Sequence, residues 1–407
     1  MAREMKDSGI QWVGIIPADW ECRRLRFLCE IQTGNQDTQD SVPNGLFPFY
    51  VRSPIVERSN KYTFEGPAIL MAGDGAGAGR VFHYVDGKYG CHQRVYSLQK
   101  ITDINRRFLY YYLSNLFYRE IEIANSKSTV DSVRLPMLQN FQVVFPNDHK
   151  QKKIVEYLDS KCAEIDVALD KTRTSIEEYK NLKQAIITQA VTKGMRGDRP
   201  MKESGIEWVP MIPADWDIIP SKRLFADSDE RKRPDDELLT ASQKYGVISQ
   251  QQYMEREKAR VVLATQGIEN WKHVEPYDFI ISLRSFQGGL EMSEVSGCIT
   301  WHYIVLKPLR PIHSFYFKWL FKSKLYIKAL QRTCNFIRDG QDLRYSNFVQ
   351  VPLFIPPMEE QKEIADALNI RCAEIDALIQ KKVHFISELE SYKKSLIYEY
   401  VTGKKEI

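Results

Sequence analysis

The chain has 407 residues, 43% hydrophobic and 12% aromatic, with a formal net charge of +4. That is enough apolar material for two to four domains, each with its own core. No apolar run is long enough to cross a bilayer, the opening MAREMKDSG has no signal-peptide core, and seven cysteines without a C-x-x-C pair argue against both a disulfide framework and a structural zinc site; a cytoplasmic protein is expected.

Residues 1–19 hold the first copy of a repeated text. Met5 to Trp20 reads MKDSGIQWVGIIPADW and returns at Met201 to Trp216 as MKESGIEWVPMIPADW. The separation is far beyond any solenoid period, so the repeating unit is half of the protein. Residues 20–147 follow as a first insert. Strands are predicted at residues 67–71 and 94–98, then an aromatic helix at 108–113, then a closing strand at 141–145. The helix aromatics are expected in the core or against a neighbouring helix. Between the first two strands lies Gly73-Asp74-Gly75-Ala76-Gly77-Ala78-Gly79-Arg80, which superficially resembles a nucleotide-binding loop. A dinucleotide fingerprint needs a helix directly after its glycines. Here Val81 to Gly87 reads as a strand running into a turn, so a hairpin loop with close backbone approach is expected and no cofactor.

Residues 148–196 carry one long helix. Apolar or small residues recur at Val155, Leu158, Cys162, Ile165, Leu169, Thr172, Ile176, Tyr179, Ile186 and Ala190 in alternating steps of three and four, a heptad seam. Residues 197–216 repeat the N-terminal segment, and residues 217–357 form a second insert. Its predicted strands at 278–282 and 303–306, aromatic helix at 315–320 and closing strand at 351–355 match the first insert in order but hardly in sequence. Residues 358–407 carry a second long helix with the seam Ala365, Leu368, Cys372, Ile375, Ile379, Ile386, Leu389, Leu396 and Tyr400. Both helices begin after proline and end at glycine, Gly194 and Gly403, where a C-cap belongs. Lys183 and Lys393 take equivalent polar positions in the two seams, as register-fixing residues do. Two such helices in one chain pair most simply with each other, and antiparallel pairing avoids crowding both inserts at one end. Docking onto separate cores is the alternative.

This layout resembles the specificity subunit of type I restriction–modification systems. The resemblance spans the whole chain and rests on S-G-I-x-W-V…I-P-x-x-W (Ser8 to Trp20; Ser204 to Trp216), on I-P-P-M-E-E-Q-K-x-I (Ile355 to Ile364), and on the repeated C-A-E-I-D (Cys162 to Asp166; Cys372 to Asp376). The first helix departs from the P-P-x-x-E-Q pattern, reading Pro146-Asn147-Asp148-His149-Lys150-Gln151, so the two helix N-termini are expected to differ in their contacts. The implied fold is α+β: two mixed α/β target-recognition domains alternating with two long helices that pair as an antiparallel coiled coil with pseudo-two-fold symmetry. The implied function is non-catalytic recognition of double-stranded DNA, each insert reading one half of a bipartite asymmetric site while the coil sets the spacing. Two methyltransferase (modification) subunits would dock along the helices and restriction subunits would join them. S-adenosylmethionine, ATP and Mg2+ would belong to those partners. The family reading also places Met1–Trp20 near the end of the second long helix.

A reader of duplex DNA needs Arg or Lys for guanine and Asn or Gln for adenine, carried on loops. In the first insert the loops offer Asn35 and Gln36, then Arg80 with His92, Gln93 and Arg94, then Lys127, Ser128 and Thr129 with Arg134. In the second they offer Ser242, Gln243 and Lys244, then Arg284, Ser285 and Gln287 with Trp301 and His302, then Arg338, Gln341 and Arg344. For any single residue the plainer account is a solvated loop or an internal hydrogen bond. No phosphate-binding G-x-x-x-x-G-K-[ST], no H-E-x-x-H and no G-x-S-x-G occurs, and no catalytic residue or metal site is expected. The rival functions are a stand-alone sequence-specific DNA-binding regulator, a single-chain nuclease–methyltransferase and a protein-only coiled-coil adaptor.

Overall fold

The computed structural model describes residues 3–124, 132–257, 267–283, 285–334 and 343–407. The chain divides into two units, Met1–Arg173 with Val383–Ile407, and Thr174–Lys382. Each insert therefore shares its unit with part of both long helices, which run Asp148–Lys193 and Met358–Val401.

The first unit is built on an antiparallel sheet in the order Glu30–Thr33, Val95–Gln99, Ala68–Ala72, Phe82–Val85. Its strand Ala68–Ala72 is buried throughout because both faces are covered. Ile69 and Met71 join the main core, while Ala68 and Leu70 join a smaller one with Val85, Tyr89, Cys91 and Val95. This is the two-residue period of a strand dividing its side chains between two cores. The helix Arg106–Leu116 covers the main-core face. Asn105 caps it by accepting from the backbone N–H of Arg107 and Phe108. Phe108, Leu109, Tyr112, Leu113 and Leu116 turn inward, as the aromatic stretch predicts. Tyr111 and Arg107 reach Asp159 of the first long helix at 2.5 and 2.8 Å. The closing strand Gln142–Phe145 pairs with Glu21–Arg24 and delivers the chain to that helix. There Leu158, Cys162, Ile165 and Leu169 share one core with Leu396, Ile397, Tyr400 and Val401. Lys393 bonds Asp166 at 2.7 Å and Arg173 meets Glu390 at 3.0 Å, so the helices run antiparallel. The N-terminal repeat segment lies on the end of the second helix, where Tyr398 donates to the Trp12 carbonyl at 3.3 Å.

The second unit repeats the plan. Its sheet runs Phe225–Ser228, Ile304–Pro308, Phe279–Ile281, Glu291–Met292, again antiparallel and in the same order of use. Helix Ser314–Lys322 packs Tyr316, Phe317, Leu320 and Phe321 onto it. Asp217–Ile219 pairs with the closing strand Leu353–Ile355. Ile187, Ala190 and Val191 pack with Ile364, Ala365, Leu368 and Cys372, and Lys183 bonds Asp376 at 2.6 Å. Each seam lysine thus meets the aspartate of the C-A-E-I-D text on the opposite helix. The periphery is where the units diverge. The first adds a four-stranded sheet containing one parallel pair, Phe47–Tyr50 with Lys88–Cys91. The second adds two separate two-stranded pairs. Among the described residues no helix is long and apolar enough to cross a membrane.

Candidate nucleic-acid interface

In the first unit the predicted loops converge. Gln36 and His92 form a bridge between their backbones, and Asp74 does the same with Ser132. Asp74 also faces two cations, Arg52 at 3.1 Å and Arg94 at 3.7 Å. The loop at Asn35, the glycine loop, the turn at His92–Arg94 and the segment leading to Arg134 therefore meet at one place. Lys127, Ser128 and Thr129 lie outside the described residues. The glycine loop is the turn of the hairpin between Ala68–Ala72 and Phe82–Val85. Its close approach is to the chain itself: a Cβ at Gly77 would sit 2.3 Å from the Arg52 carbonyl oxygen.

The convergent residues divide by burial. Gln36 is 5% exposed and donates to the Lys61 carbonyl at 3.0 Å. His92 is 3% exposed, and its Nδ1 accepts from the Arg94 backbone N–H at 2.9 Å, which leaves the ring proton on Nε2, facing Asp37 at 3.4 Å. These two side chains hold the loops in place. Asn35, Gln93, Arg94, Arg80 and Arg134 are exposed. Asn35 accepts from Thr63, Gln93 donates to Asp37 at 3.4 Å, and Arg80 lies over the Tyr118 ring at 3.8 Å. Arg134 stands at the N-cap of Leu135–Asn140. Exposed ion pairs such as Arg94–Asp74 add little stability. What they do is restrict where a guanidinium points, which suits it to a planar acceptor pair. Arg52 belongs to this set and escaped the sequence analysis, because a lone arginine after a strand carries no motif.

In the second unit Gln243, Lys244 and Tyr245 form the turn of the hairpin Leu239–Ser242/Gly246–Ser249. Ser242 accepts from the backbone N–H of Lys244 and Tyr245. Lys244 donates to Glu257 at 2.7 Å, and its bonds to Glu257 and Tyr245 hold its ammonium pKa above the ordinary range. Gln243 packs on Gly288, beside exposed Gln287. Ser285 is fully buried, and its hydroxyl accepts from the Ser282 N–H at 2.8 Å, shaping the turn rather than facing outward. A cleft of about 400 Å³ joins Ser242, Gln243 and Lys244 to Leu283 and Tyr303. Exposed Trp301 stacks on His302 with ring centroids 3.6 Å apart. Arg344 stands at the N-cap of Tyr345–Phe348. Arg284, Arg338 and Gln341 lie outside the described residues. The helix Gln250–Glu257 also lines this cleft, through Gln250, Tyr253 and Glu257. Its Q-Q-Q run was the available signal.

Chemically, both clusters offer donors on exposed loops. Among the described residues no group of three His, Cys, Asp or Glu could hold a metal ion. Burial pushes the Cys29 and Cys91 thiols up to about 12, which keeps them protonated.

Comparison with known proteins agrees on a family. The family model described as "Type I restriction modification DNA specificity domain" matches residues 17–178 and again 213–384. The type I restriction enzyme EcoDI specificity subunit of Escherichia coli is 20% identical, over 96% of this chain and 90% of that protein. A putative type I restriction enzyme MjaX specificity subunit of Methanocaldococcus jannaschii is 22% identical, over 96% and 95%. A chain solved in a study of complex assembly and conformational transition of the type I R-M system shares the fold, with a TM-score of 0.65 at 13% identity, covering 96% of this chain and 99% of that one.

Proposed function

The chain belongs to the type I restriction–modification DNA specificity family, and on that premise we propose that its two recognition domains read the two halves of one bipartite, asymmetric DNA site. Members of this family are recognition subunits, and the chemistry is done by the subunits they join. The observation that carries the reading is the contrast within the molecule. One sheet order and one helix pairing occur twice, yet the residues presented on the converging loops differ: Asn35, Gln93, Arg94 and Arg134 in one unit, Gln243, Lys244, Gln287 and Trp301 in the other. Unlike loops on like frames read unlike half-sites, whereas a homodimer reads a palindrome. In this reading the paired helices set the spacing between the two half-sites.

Two methyltransferase subunits dock along the long helices in this reading, and restriction subunits join them. Support comes from apolar side chains that the second helix leaves exposed: Ile370, Leu378, Val383, Phe385 and Tyr392. S-adenosylmethionine, ATP and Mg2+ are assigned to those partners. The test replaces residues 217–357 with the second insert of a relative and maps methylated bases in cells. The expected result is a new sequence in one half-site with the other half and the spacer unchanged. Changes in both halves, or in neither, would reject the modular reading. On a finer scale, Arg94→Ala is expected to relax one base position in one half-site, costing about 1–3 kcal/mol of discrimination.

A further inference from the structure

The repeat provides its own control for the start of each long helix. In the second unit Glu360 sits in the first turn, fully buried. Its carboxylate accepts from the Trp216 indole N–H at 3.0 Å and from Arg199 at 3.1 Å, and Arg199 also pairs with Asp215. The first unit keeps the corresponding tryptophan, arginine and aspartate as Trp20, Arg3 and Asp19, but Lys150 stands where Glu360 does, and Lys153 where Glu363 does.

Three consequences are visible. Trp20 is 2% exposed, and its indole N–H has no acceptor among the described residues. Lys150 turns away to Asp19 at 2.6 Å, and Arg3 lies over the Trp20 ring at 5.9 Å. A cleft of about 40 Å³ opens between Trp20, Arg3, Lys150, Lys153, Lys405 and Glu406, several times what one water needs. Glu406 is an acidic side chain of that wall, Ile154 and the last residue, Ile407, complete the lining, and no acceptor among the described residues reaches the indole. Lys150 in the first turn opposes the helix dipole, which favours negative charge there, and Asp148 is the acidic residue of that turn.

We propose that this cleft is an oxyanion site, a carboxylate slot that the second unit fills from within and the first leaves for a ligand. The occupant is a carboxylate or a group of like shape and charge, such as a phosphate. It accepts from the Trp20 indole N–H and is neutralised by Lys150, Lys153 and Arg3, at the positive end of the first long helix. A backbone position that elsewhere holds Glu360 favours a carboxylate, and an acidic side chain of a docked protein partner supplies one.

The test uses the full chain with sodium acetate or inorganic phosphate titrated against sodium chloride at constant ionic strength. Thermal midpoint and the Trp20 indole N–H resonance are followed, the latter assigned with Trp20→Phe. A saturable shift of that resonance with a rise in midpoint is expected for acetate, for phosphate or for both, and not for chloride; the stronger ligand distinguishes a carboxylate from a phosphate occupant. In Lys150→Glu the new carboxylate should take the slot, raising the midpoint by about 2–4 °C without added anion and abolishing the response. Trp20→Phe, which removes the donor and part of the ring, is read by the thermal midpoint alone and should weaken its rise on adding the oxyanion. The proposal is overturned if chloride acts equally, if neither oxyanion saturates, if Lys150→Glu keeps the response, or if Lys150→Glu lowers the midpoint.

Discussion

In both units a tryptophan of the repeated segment packs beside the first turn of a long helix, and the units differ in what meets its indole N–H. Trp216 donates to buried Glu360, whereas Trp20 has no acceptor among the described residues. Around this difference the frame is constant. Trp12 packs against Phe141 and Trp208 against Phe354, with ring centroids 5.9 and 5.4 Å apart. Gln151 and Gln361, both buried, each donate to the carbonyl of a proline before the helix (Pro146, Pro356) and accept from the backbone N–H at the start of the next domain helix (Asn105, His313). Packing that forms the fold is duplicated, and the positions that changed, Lys150 for Glu360 and Lys153 for Glu363, are charge reversals at the rim of that packing. A duplicated scaffold can diverge at an ion without diverging in its core.

The sharpest way to break this comparison is to remove the acid. Glu360→Ala strands Arg199 and the Trp216 indole around a buried cavity, and breaking a buried pair this way costs about 3–5 kcal/mol. Lys150→Ala, at the matching position of the first unit, removes a half-exposed pair with Asp19 and is expected to cost under about 1 kcal/mol. Chemical denaturation of both variants checks the pair. Equal losses would show that the two helix starts are equivalent after all.

The glycines that end the helices come next. Gly194 and Gly403 have φ of 76° and 70°, the left-handed C-cap conformation. A Cβ at Gly194 would meet the Glu360 carboxylate at 2.3 Å, and one at Gly403 would meet the Pro17 ring at 2.6 Å. Gly→Ala is expected to cost about 1–2 kcal/mol at either site from backbone strain alone. The loss should be larger at Gly403, because a proline ring yields less than a carboxylate. Thermal unfolding of the two single variants decides it, and a larger loss at Gly194 would reverse the assignment.

These helix ends were legible in the sequence because glycine, proline and the heptad seam each have one dominant physical reason to stand where they do. Leu158, Cys162, Ile165 and Leu169 are buried as their spacing predicts, and so are Ala365, Leu368 and Cys372. The inequality of the helix starts was readable too, since Lys150 against Glu360 is a visible reversal. Its consequence for Trp20 was not, because an orphaned N–H depends on which side chain fills the space above it. The loops were legible only as candidates. Gln36, His92 and Ser285 have the chemistry to meet a base, and burial turns each of them to internal hydrogen bonds instead. Residue type tells what a side chain can do, and only the surrounding packing tells which way it faces. Arg52 was missed for the converse reason, since only the position of Asp74 gives it a role.

A smaller effect tests whether the seam is symmetric. Lys183–Asp376 and Lys393–Asp166 have nearly the same geometry, 2.6 and 2.7 Å, with aspartates about half exposed. Pairs this exposed contribute roughly 0.2–1 kcal/mol. Double-mutant cycles through Lys→Met and Asp→Ala should return couplings in that range that agree between the units. A difference of more than about 1 kcal/mol would mean that one pair alone fixes the register.

The smallest expected effect concerns acid. The hydrogen bond from Lys150 holds the Asp19 carboxyl below its ordinary value of 3.8, with burial opposing and Arg3 assisting. A carboxyl whose folded value is depressed stabilises the fold above its unfolded value and loses that contribution as pH falls through the folded value. Asp19 is about half exposed, so solvent screens the pair and the acid limb of the stability curve should move only slightly. The titration itself is the better readout. In Lys150→Ala the Asp19 midpoint, followed by carboxyl-carbon NMR, should rise towards 3.8. In Lys150→Glu it should stay lower than in the alanine variant only if Arg3 swings to bridge the two carboxylates, as Arg199 bridges Glu360 and Asp215 in the second unit. A midpoint unmoved by removing Lys150 would show that the lysine is not bound to Asp19. The indole of Trp20 would then have to be sought by the lysine-bearing turn in some other arrangement, and the likeness between the two helix starts would lose its charge-reversal explanation.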